Sequence, residues 1–333
     1  MTDRLGWGIL GCGWIATEAI APAIQWSNNG RLVAVGSRTQ QAADSKARET
    51  GAQRAYGSYE ALLEDREIDA VYIGLPNGLH EEWALRCAAA GKHVLCEKSL
   101  TLGVESARRM TQAFASRNLR LVEAFMYRHH PQWKVAIDLI GEGKIGDVCV
   151  VRVSFCGRFD RVNNHRWSKA LGGGALWDLT CYGVNAARFV VRDEPTRASA
   201  FADARTDEGV DASTQASLVF DSGVLASVTG SLRAGRDQSV VVVGADGVLE
   251  ITWPFAPGWA PTQVIVRRGM EERRIDVGGA NHFLHEIEHF ASLVSDPYSG
   301  MWPAEDGARN VAVCEAIEKS WHEGGHAIDV ERP

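Results

Sequence analysis

The chain has no Cys-x-x-Cys pair, no block of lysine and arginine, and no apolar run of the about 18 residues that a membrane span needs. Each absence removes a class of function. Its seven cysteines, at 12, 87, 96, 149, 156, 181 and 314, are odd in number and scattered. Neither a disulfide framework nor a zinc knuckle follows from that pattern, and reduced thiols in a cytoplasm fit it best. A net charge of −7 with no local basic stretch argues against nucleic acid as a partner. The opening Met1-Thr2-Asp3-Arg4 runs straight into a strand pattern, without the basic and apolar regions of a signal peptide. The expectation is a cytoplasmic protein with neither a membrane nor a nucleic-acid partner.

What is present is an ordinary globular composition, 45% apolar and 23% charged. At 333 residues the chain exceeds what one hydrophobic core organises, so two domains are expected. Residues 5–123 alternate strand and helix patterns: strands at 5–10, 32–36, 70–74, 93–96 and 120–122, with helices over 14–27, 40–50, 79–90 and 104–117. That alternation predicts a parallel, doubly wound sheet in a domain spanning 1–123. From residue 124 the pattern changes. A helix over 132–142, a long strand at 147–156 and a helix over 175–191 precede seven strand-like segments between 196 and 277. Hairpin signals such as Asp221-Ser222-Gly223 and Ala245-Asp246-Gly247 join several of them. Helices over 281–295 and 304–322 close the chain. The fold class expected is α/β. A doubly wound Rossmann domain is followed, over 124–333, by an α+β domain with a large, open, mostly antiparallel sheet. One face of that sheet would expose a broad apolar area unless covered, which predicts a homodimer or homotetramer.

The strand Leu5–Leu10 enters Gly11-Cys12-Gly13-Trp14-Ile15-Ala16, a G-x-G-x-x-A turn between strand and helix. Gly11 permits the tight turn and Gly13 lets the backbone approach a pyrophosphate. The small Ala16 allows close helix packing, and the N–H groups about Trp14 and Ile15 face the phosphates. At the end of the second strand Ser37-Arg38-Thr39 carries no acid, and Arg38 lies about twenty residues beyond the turn. A guanidinium there accommodates the 2′-phosphate of NADP, with hydroxyls of Ser37 and Thr39 beside it, whereas an acid would favour NAD. A solvated surface arginine is the competing reading, so NADP is favoured and NAD stays possible.

With that turn, Pro76-Asn77-Gly78-Leu79-His80, Cys96-Glu97-Lys98 and Gly172-Gly173-Gly174-Ala175-Leu176-Trp177-Asp178 taken together, the chain resembles the Gfo/Idh/MocA oxidoreductases over nearly its whole length. The resemblance implies that Lys98 enters the active site and that the triple-glycine segment opens the catalytic helix of the second domain. It places Leu75, Asn77 and His80 near the nicotinamide end of the cofactor. Glu97 braces the lysine turn or meets a cofactor ribose. Two positions depart from the commoner pattern. Ser99 stands where the family has proline after the lysine, which leaves the shape of the lysine segment open. Tyr182 stands where many members have histidine. Asp178-x-x-x-Tyr182 is similar to the subgroup of glucose–fructose oxidoreductase, aldose dehydrogenases and dimeric dihydrodiol dehydrogenases.

Asp178 and Tyr182 are one helical turn apart and share a face of an α-helix. A tyrosine titrates near 10 unperturbed, and a lysine ammonium beside it favours the phenolate. Tyr182 is therefore expected as general base for oxidising an alcohol, Lys98 as its electrostatic partner, and Asp178 as the group that holds a substrate hydroxyl or orients the pair. The loop 157–169 carries Arg158, Asp160, Arg161, Asn163, Asn164, His165, Arg166 and Trp167, polar groups with an aromatic plate that suit a sugar or polyol. A solvated loop is the alternative. Arg128, after the last strand of the first domain, is placed either to reach substrate or to make a structural ion pair.

His282, His285 and His289 stand at helical spacing without Cys or H-E-x-x-H partners, so a packed or interfacial face is expected there and no metal. The expected activity is oxidation of the anomeric hydroxyl of an aldose such as xylose or glucose to the lactone. Reduction of a keto-sugar, or oxidation of a dihydrodiol, would use the same residues. A rival from another class is a non-catalytic NADP-binding sensor, since a Rossmann fold binds nucleotide without obliging chemistry.

Overall fold

The computed structural model describes residues 4–162, 164–296 and 304–333. The chain divides into two compact units.

Six strands build the first: β1 (Leu5–Leu10), β2 (Gly30–Gly36), β3 (Arg54–Tyr56), β4 (Ala70–Ile73), β5 (His93–Glu97) and β6 (Leu121–Ala124). All are parallel, in the order β3-β2-β1-β4-β5-β6. Their apolar runs are continuous because helices cover both faces, and Val33, Val35, Val71, Ile73, Val94 and Leu95 are wholly buried. Strand order reverses between β1 and β4, the point at which doubly wound sheets open a ligand crevice at their carboxyl ends. Sequence patterning missed β3, three residues long, and the short helix Tyr59–Leu63 after it.

The helix His282–Ser295 belongs to this unit as well. Its Ile287, Phe290 and Leu293 enter the core formed by Trp7, Ile20, Ile24 and Tyr72, and the Phe290 ring lies 5.1 Å from that of Trp7. This differs from the expected division at residue 123. A helix carries its apolar stripe to whatever core is in reach, and linear order does not say which one. The three histidines of this helix hold no metal cluster among the described residues.

The second unit holds a nine-stranded sheet made of β7 (Val148–Arg158), β8 (Pro195–Asp203), β9 (Ser213–Phe220), β10 (Leu225–Ser231), β11 (Arg233–Gly244), β12 (Val248–Ile251), β13 (Thr262–Arg268), β14 (Glu271–Val277) and β15 (Ile328–Asp329). The order is β14-β13-β12-β11-β7-β10-β9-β8-β15, antiparallel throughout except for the central β7–β10 pair. Leu176–Val191, a π-helical turn running into the α-helix Cys181–Val191, lies on this sheet. Gly183 permits the close approach, since a Cβ there would stand 3.1 Å from Val228 and 3.5 Å from Val153.

The opposite face is less apolar than expected. Register aligns Val219, Leu225, Val150, Val243 and Val248 in one row across five strands, with Leu225 half exposed. The neighbouring row reads Ser199, Ser217, Ser227, Arg152, Val241, Glu250 and Ile265. An aliphatic stripe with Val241 and Ile265 in the row beside it, interrupted by serines and charged residues, is what this face presents. No described helix is long and apolar enough to cross a membrane, and no disulfide joins any of the seven cysteines.

Candidate active site

In the first unit the predicted cofactor residues lie at the carboxyl ends of β1, β2, β4 and β5. Gly11 adopts φ +84°, and a Cβ on it would stand 2.7 Å from the Gly74 carbonyl oxygen, so only glycine fits. Above Gly13 the space is open: a Cβ there meets nothing within 4 Å. Thr17 N–H donates to the Gly13 carbonyl at 3.1 Å, so the N–H groups of the first turn stand ahead of the helical ladder, beside that open backbone. This cradle fits a dinucleotide pyrophosphate. Ala16 is buried, and a Cβ built on Gly74 would touch it at 3.5 Å, so a larger residue at 16 would push helix from strand. Ile15 is half-buried, while Trp14 is 72% exposed. The Cys12 thiol inside the turn reaches the Gly36 carbonyl at 3.5 Å, and burial pushes its pKa up to about 11. It is no nucleophile.

Beyond β2 the three polar residues separate in role. Thr39 caps the helix Gln40–Thr50, its hydroxyl accepting the Ala42 N–H at 3.2 Å. Ser37 donates its N–H to the Tyr56 carbonyl at 3.0 Å, and Arg38 is exposed.

At the ends of β4 and β5, His80 is wholly buried, its ring nitrogens each 2.8 Å from a carbonyl oxygen, Leu75 on one side and Ser99 on the other. It ties together the loops carrying Leu75, Asn77 and Lys98 and does not face outward; burial lowers its pKa. Glu97 accepts the Tyr72 hydroxyl at 2.5 Å and the Lys98 N–H at 3.2 Å. These two bonds tie it to β4 and to the lysine turn. The Lys98–Ser99 peptide bond is cis. Glu286, from the helix His282–Ser295, is 3% exposed with no partner for its Oε1. Burial, and then the charge of Glu97, raise its pKa well above the usual carboxylate range.

In the second unit Asp178 and Tyr182 ride on the same helical run, with Leu176–Thr180 wound as a π-turn and not as the α-helix expected. Arg166 Nε donates to Asp178 Oδ2 at 2.7 Å. Asp178 is 7% exposed, so this pair is mostly withdrawn from water. Tyr182 is buried in an aromatic cage, with the Phe155 ring edge-on at 5.0 Å, Phe255 at 5.3 Å and Tyr127 at 6.0 Å.

The remaining predicted substrate residues divide. Arg158 and His165 are exposed in the expected loop, and Asn163 lies outside the described residues. Trp167 is no open plate. It packs among Ala175, Leu179, Val210 and Leu232, with Arg161 stacked over its ring at 4.7 Å. Arg128 is buried, donating to Asn185 Oδ1 at 2.8 Å and lying over the Phe189 ring, so it is structural.

Residues 5–125 match the family model described as "Oxidoreductase family, NAD-binding Rossmann fold", and residues 133–250 match the GFO/IDH/MocA C-terminal domain. The chain belongs to the Gfo/Idh/MocA family of oxidoreductases. Among members of this family, it is 34% identical over 330 residues to a D-xylose 1-dehydrogenase (NADP(+)) of Haloferax volcanii, covering 97% of this chain and 99% of that one. KijD10, a 3-ketoreductase from Actinomadura kijaniata solved with NADP and TDP-benzene, superposes with a TM-score of 0.91 at 29% identity, over 96% and 98% of the two chains. The aldose-aldose oxidoreductase of Caulobacter crescentus, solved with glycerol, gives 0.91 at 26% identity over 98% and 100%.

For a Gfo/Idh/MocA protein, three features escaped the sequence reading. Phe255 reaches Tyr182 from a loop between β12 and β13 that shows no periodicity. Glu286 looks like one more acid on an amphipathic helix. Asp211 carries no motif at all, yet it sits against the triple-glycine turn.

Proposed function

We propose that this oxidoreductase uses NADP to oxidise the anomeric hydroxyl of an aldose of the xylose or glucose type to the lactone, with Tyr182 as general base assisted by Lys98. Tyr182 takes the hydroxyl proton as phenolate, and the Lys98 ammonium stabilises that phenolate. Asp178, hydrogen-bonded by Arg166, accepts a hydrogen bond from a neighbouring sugar hydroxyl and fixes which carbon presents its C–H. When bound, the nicotinamide supplies the hydride acceptor. Gly11, Gly13, Trp14 and Ile15 hold the pyrophosphate, and Arg38 with Ser37 and Thr39 meets the 2′-phosphate. Leu75, Asn77 and Glu97 line the nicotinamide end, while His80 positions that segment. Arg158 and His165 meet the sugar.

One observation carries the reading. KijD10 has been solved with a lysine changed to alanine and with a tyrosine changed to phenylalanine. Those two positions are separated by the same length of chain as Lys98 and Tyr182. The dehydrogenase direction is favoured by the xylose dehydrogenase, matched over 97% of this chain. The likeness to KijD10 favours a second reading, reduction of a keto-sugar with Tyr182 as proton donor.

The test is initial rates of the purified chain with NADP and NAD across aldoses, polyols and keto-sugars, with Tyr182→Phe alongside. Aldose turnover that the variant loses while still binding NADP supports the proposal. Activity surviving in Tyr182→Phe sinks the mechanism. Binding without any turnover in the parent favours a sensor.

The proposed assembly is a homodimer or homotetramer in a reducing cytoplasm, with a second copy covering the Val150, Val219, Leu225, Val243 and Val248 stripe. Light scattering on Leu225→Lys would show a smaller species, and an unchanged mass would reject that surface.

A further inference from the structure

The start of the catalytic helical run is held by a residue that no motif marks. Asp211, 2% exposed, faces the triple-glycine turn with both its main chain and its side chain. Its carbonyl oxygen accepts the Ala175 N–H at 2.8 Å, and its Oδ2 accepts the Leu176 N–H at 2.7 Å and the Thr214 hydroxyl at 2.5 Å. Gly174, at φ +117°, is glycine because a Cβ would overlap Asp211 Oδ1. The other flank of the turn is clamped by the segment that carries Arg166. Gly174 N–H donates to the Arg166 carbonyl at 2.9 Å, and a Cβ on Gly173 would meet that oxygen at 2.5 Å. Arg166 in turn holds Asp178.

We infer that Asp211 is the positioning residue of this site, anchoring through its carboxylate and its carbonyl oxygen the turn from which Asp178 and Tyr182 project. The inference rests on the roles proposed for those two residues. It accounts for a buried acid and for a glycine at positive φ by the same contact. An ionised Asp211 makes a charge-assisted hydrogen bond to the Leu176 N–H and complements the positive end of the helical dipole. A protonated one accepts more weakly, and the turn loosens. Burial pushes the Asp211 pKa up to about 7, so both states are reached near neutrality. Of the ionisable groups on the surrounding elements, Glu318 acts in the same direction. Asp178 is paired with Arg166, and Asp203 with Arg205 and Arg233.

The experiment takes Asp211→Asn and Thr214→Val in the full chain. It reads kcat and KM from about pH 5.5 to 9, and amide hydrogen exchange over residues 175–182. Asparagine keeps an acceptor for Leu176 but never ionises. Its kcat should match the parent at acidic pH and fall about tenfold below it at alkaline pH, with KM for NADP within about twofold. Exchange at 175–182 should quicken in the alkaline range alone. Thr214→Val, which removes a hydrogen bond to the anion, should move the neutral limb of the parent profile to higher pH. An Asp211→Asn profile that overlays the parent, or a Thr214→Val limb that does not move, would overturn the inference. If no sugar is turned over, the functional reading fails, while unaltered exchange in Asp211→Asn rejects the anchoring role on its own.

Discussion

Arg166 Nε donates to Asp178 Oδ2 at 2.7 Å while its guanidinium lies 4.6 Å over the Phe159 ring, so one side chain both pairs with the acid and stacks on an aromatic. A planar cation does this, and an ammonium does not. Arg166 is thereby held against Asp178 and Phe159 at once, and its Nε is committed to the carboxylate.

Arg166→Lys should therefore lower kcat about tenfold or more, with KM for NADP unchanged, because a displaced Asp178 misorients the sugar. Arg166→Met removes a donor from a mostly buried carboxylate and should cost roughly 1–3 kcal/mol of stability. Adding Asp178→Asn should return most of that stability and none of the activity. Denaturant unfolding and steady-state kinetics on the three variants separate the two effects.

Glycines 13 and 174 should respond in opposite ways. Gly13→Ala places its methyl in open space, so stability should stay within about 0.5 kcal/mol while NADP affinity drops. Gly174→Ala meets a left-handed φ and the Asp211 carboxylate, and should cost roughly 3 kcal/mol. Unfolding curves and NADP titration by fluorescence check both. Loss of stability in Gly13→Ala would contradict the open cradle.

Glu286 makes stability depend on pH with a definite sign. Its folded pKa lies above the unfolded value, so between the two the folded state binds more protons, and stability falls as pH rises. Glu286→Gln should be more stable than the parent above neutrality. The difference should vanish as pH falls toward about 4.3, where the unfolded carboxyl also protonates. A parent and variant of equal stability at pH about 8 would show that Glu286 is ionised in the fold at no cost.

Arg38→Ala should weaken NADP binding by about 1.5–3 kcal/mol and leave NAD nearly unaffected, since a charge-assisted contact to the 2′-phosphate is what it removes. Calorimetry with both nucleotides reads the difference. Equal losses for the two would return Arg38 to an ordinary surface role.

Much of the site was legible in sequence because turns and helix starts use local chemistry. Gly11 needs its positive φ and Ala16 its small volume, each within a few residues of its neighbours, whereas the capping task of Thr39 came only with the fold. Arg128 and Trp167 were left open or placed by composition alone, which says what a side chain can do and not which way it faces. One is buried against Asn185, the other beneath Arg161. His80 was placed in the right segment, but with the wrong task, since both its partners are carbonyl oxygens that no motif encodes.

By itself the sequence determined the alternating first unit, the meandering second sheet, the glycine turn and the Asp178-x-x-x-Tyr182 pair, since hydrophobic period and turn chemistry act over a few residues. Only the tertiary structure decided that the helix His282–Ser295 packs with the first core and that Phe255 closes the cage around Tyr182. It also decided that Arg166 belongs to Asp178 and that Asp211 stands where a Cβ of Gly174 would be. Those pairings join residues far apart in the chain. They are set by strand register and by which buried polar group must find a partner, and neither is written in any short stretch of sequence.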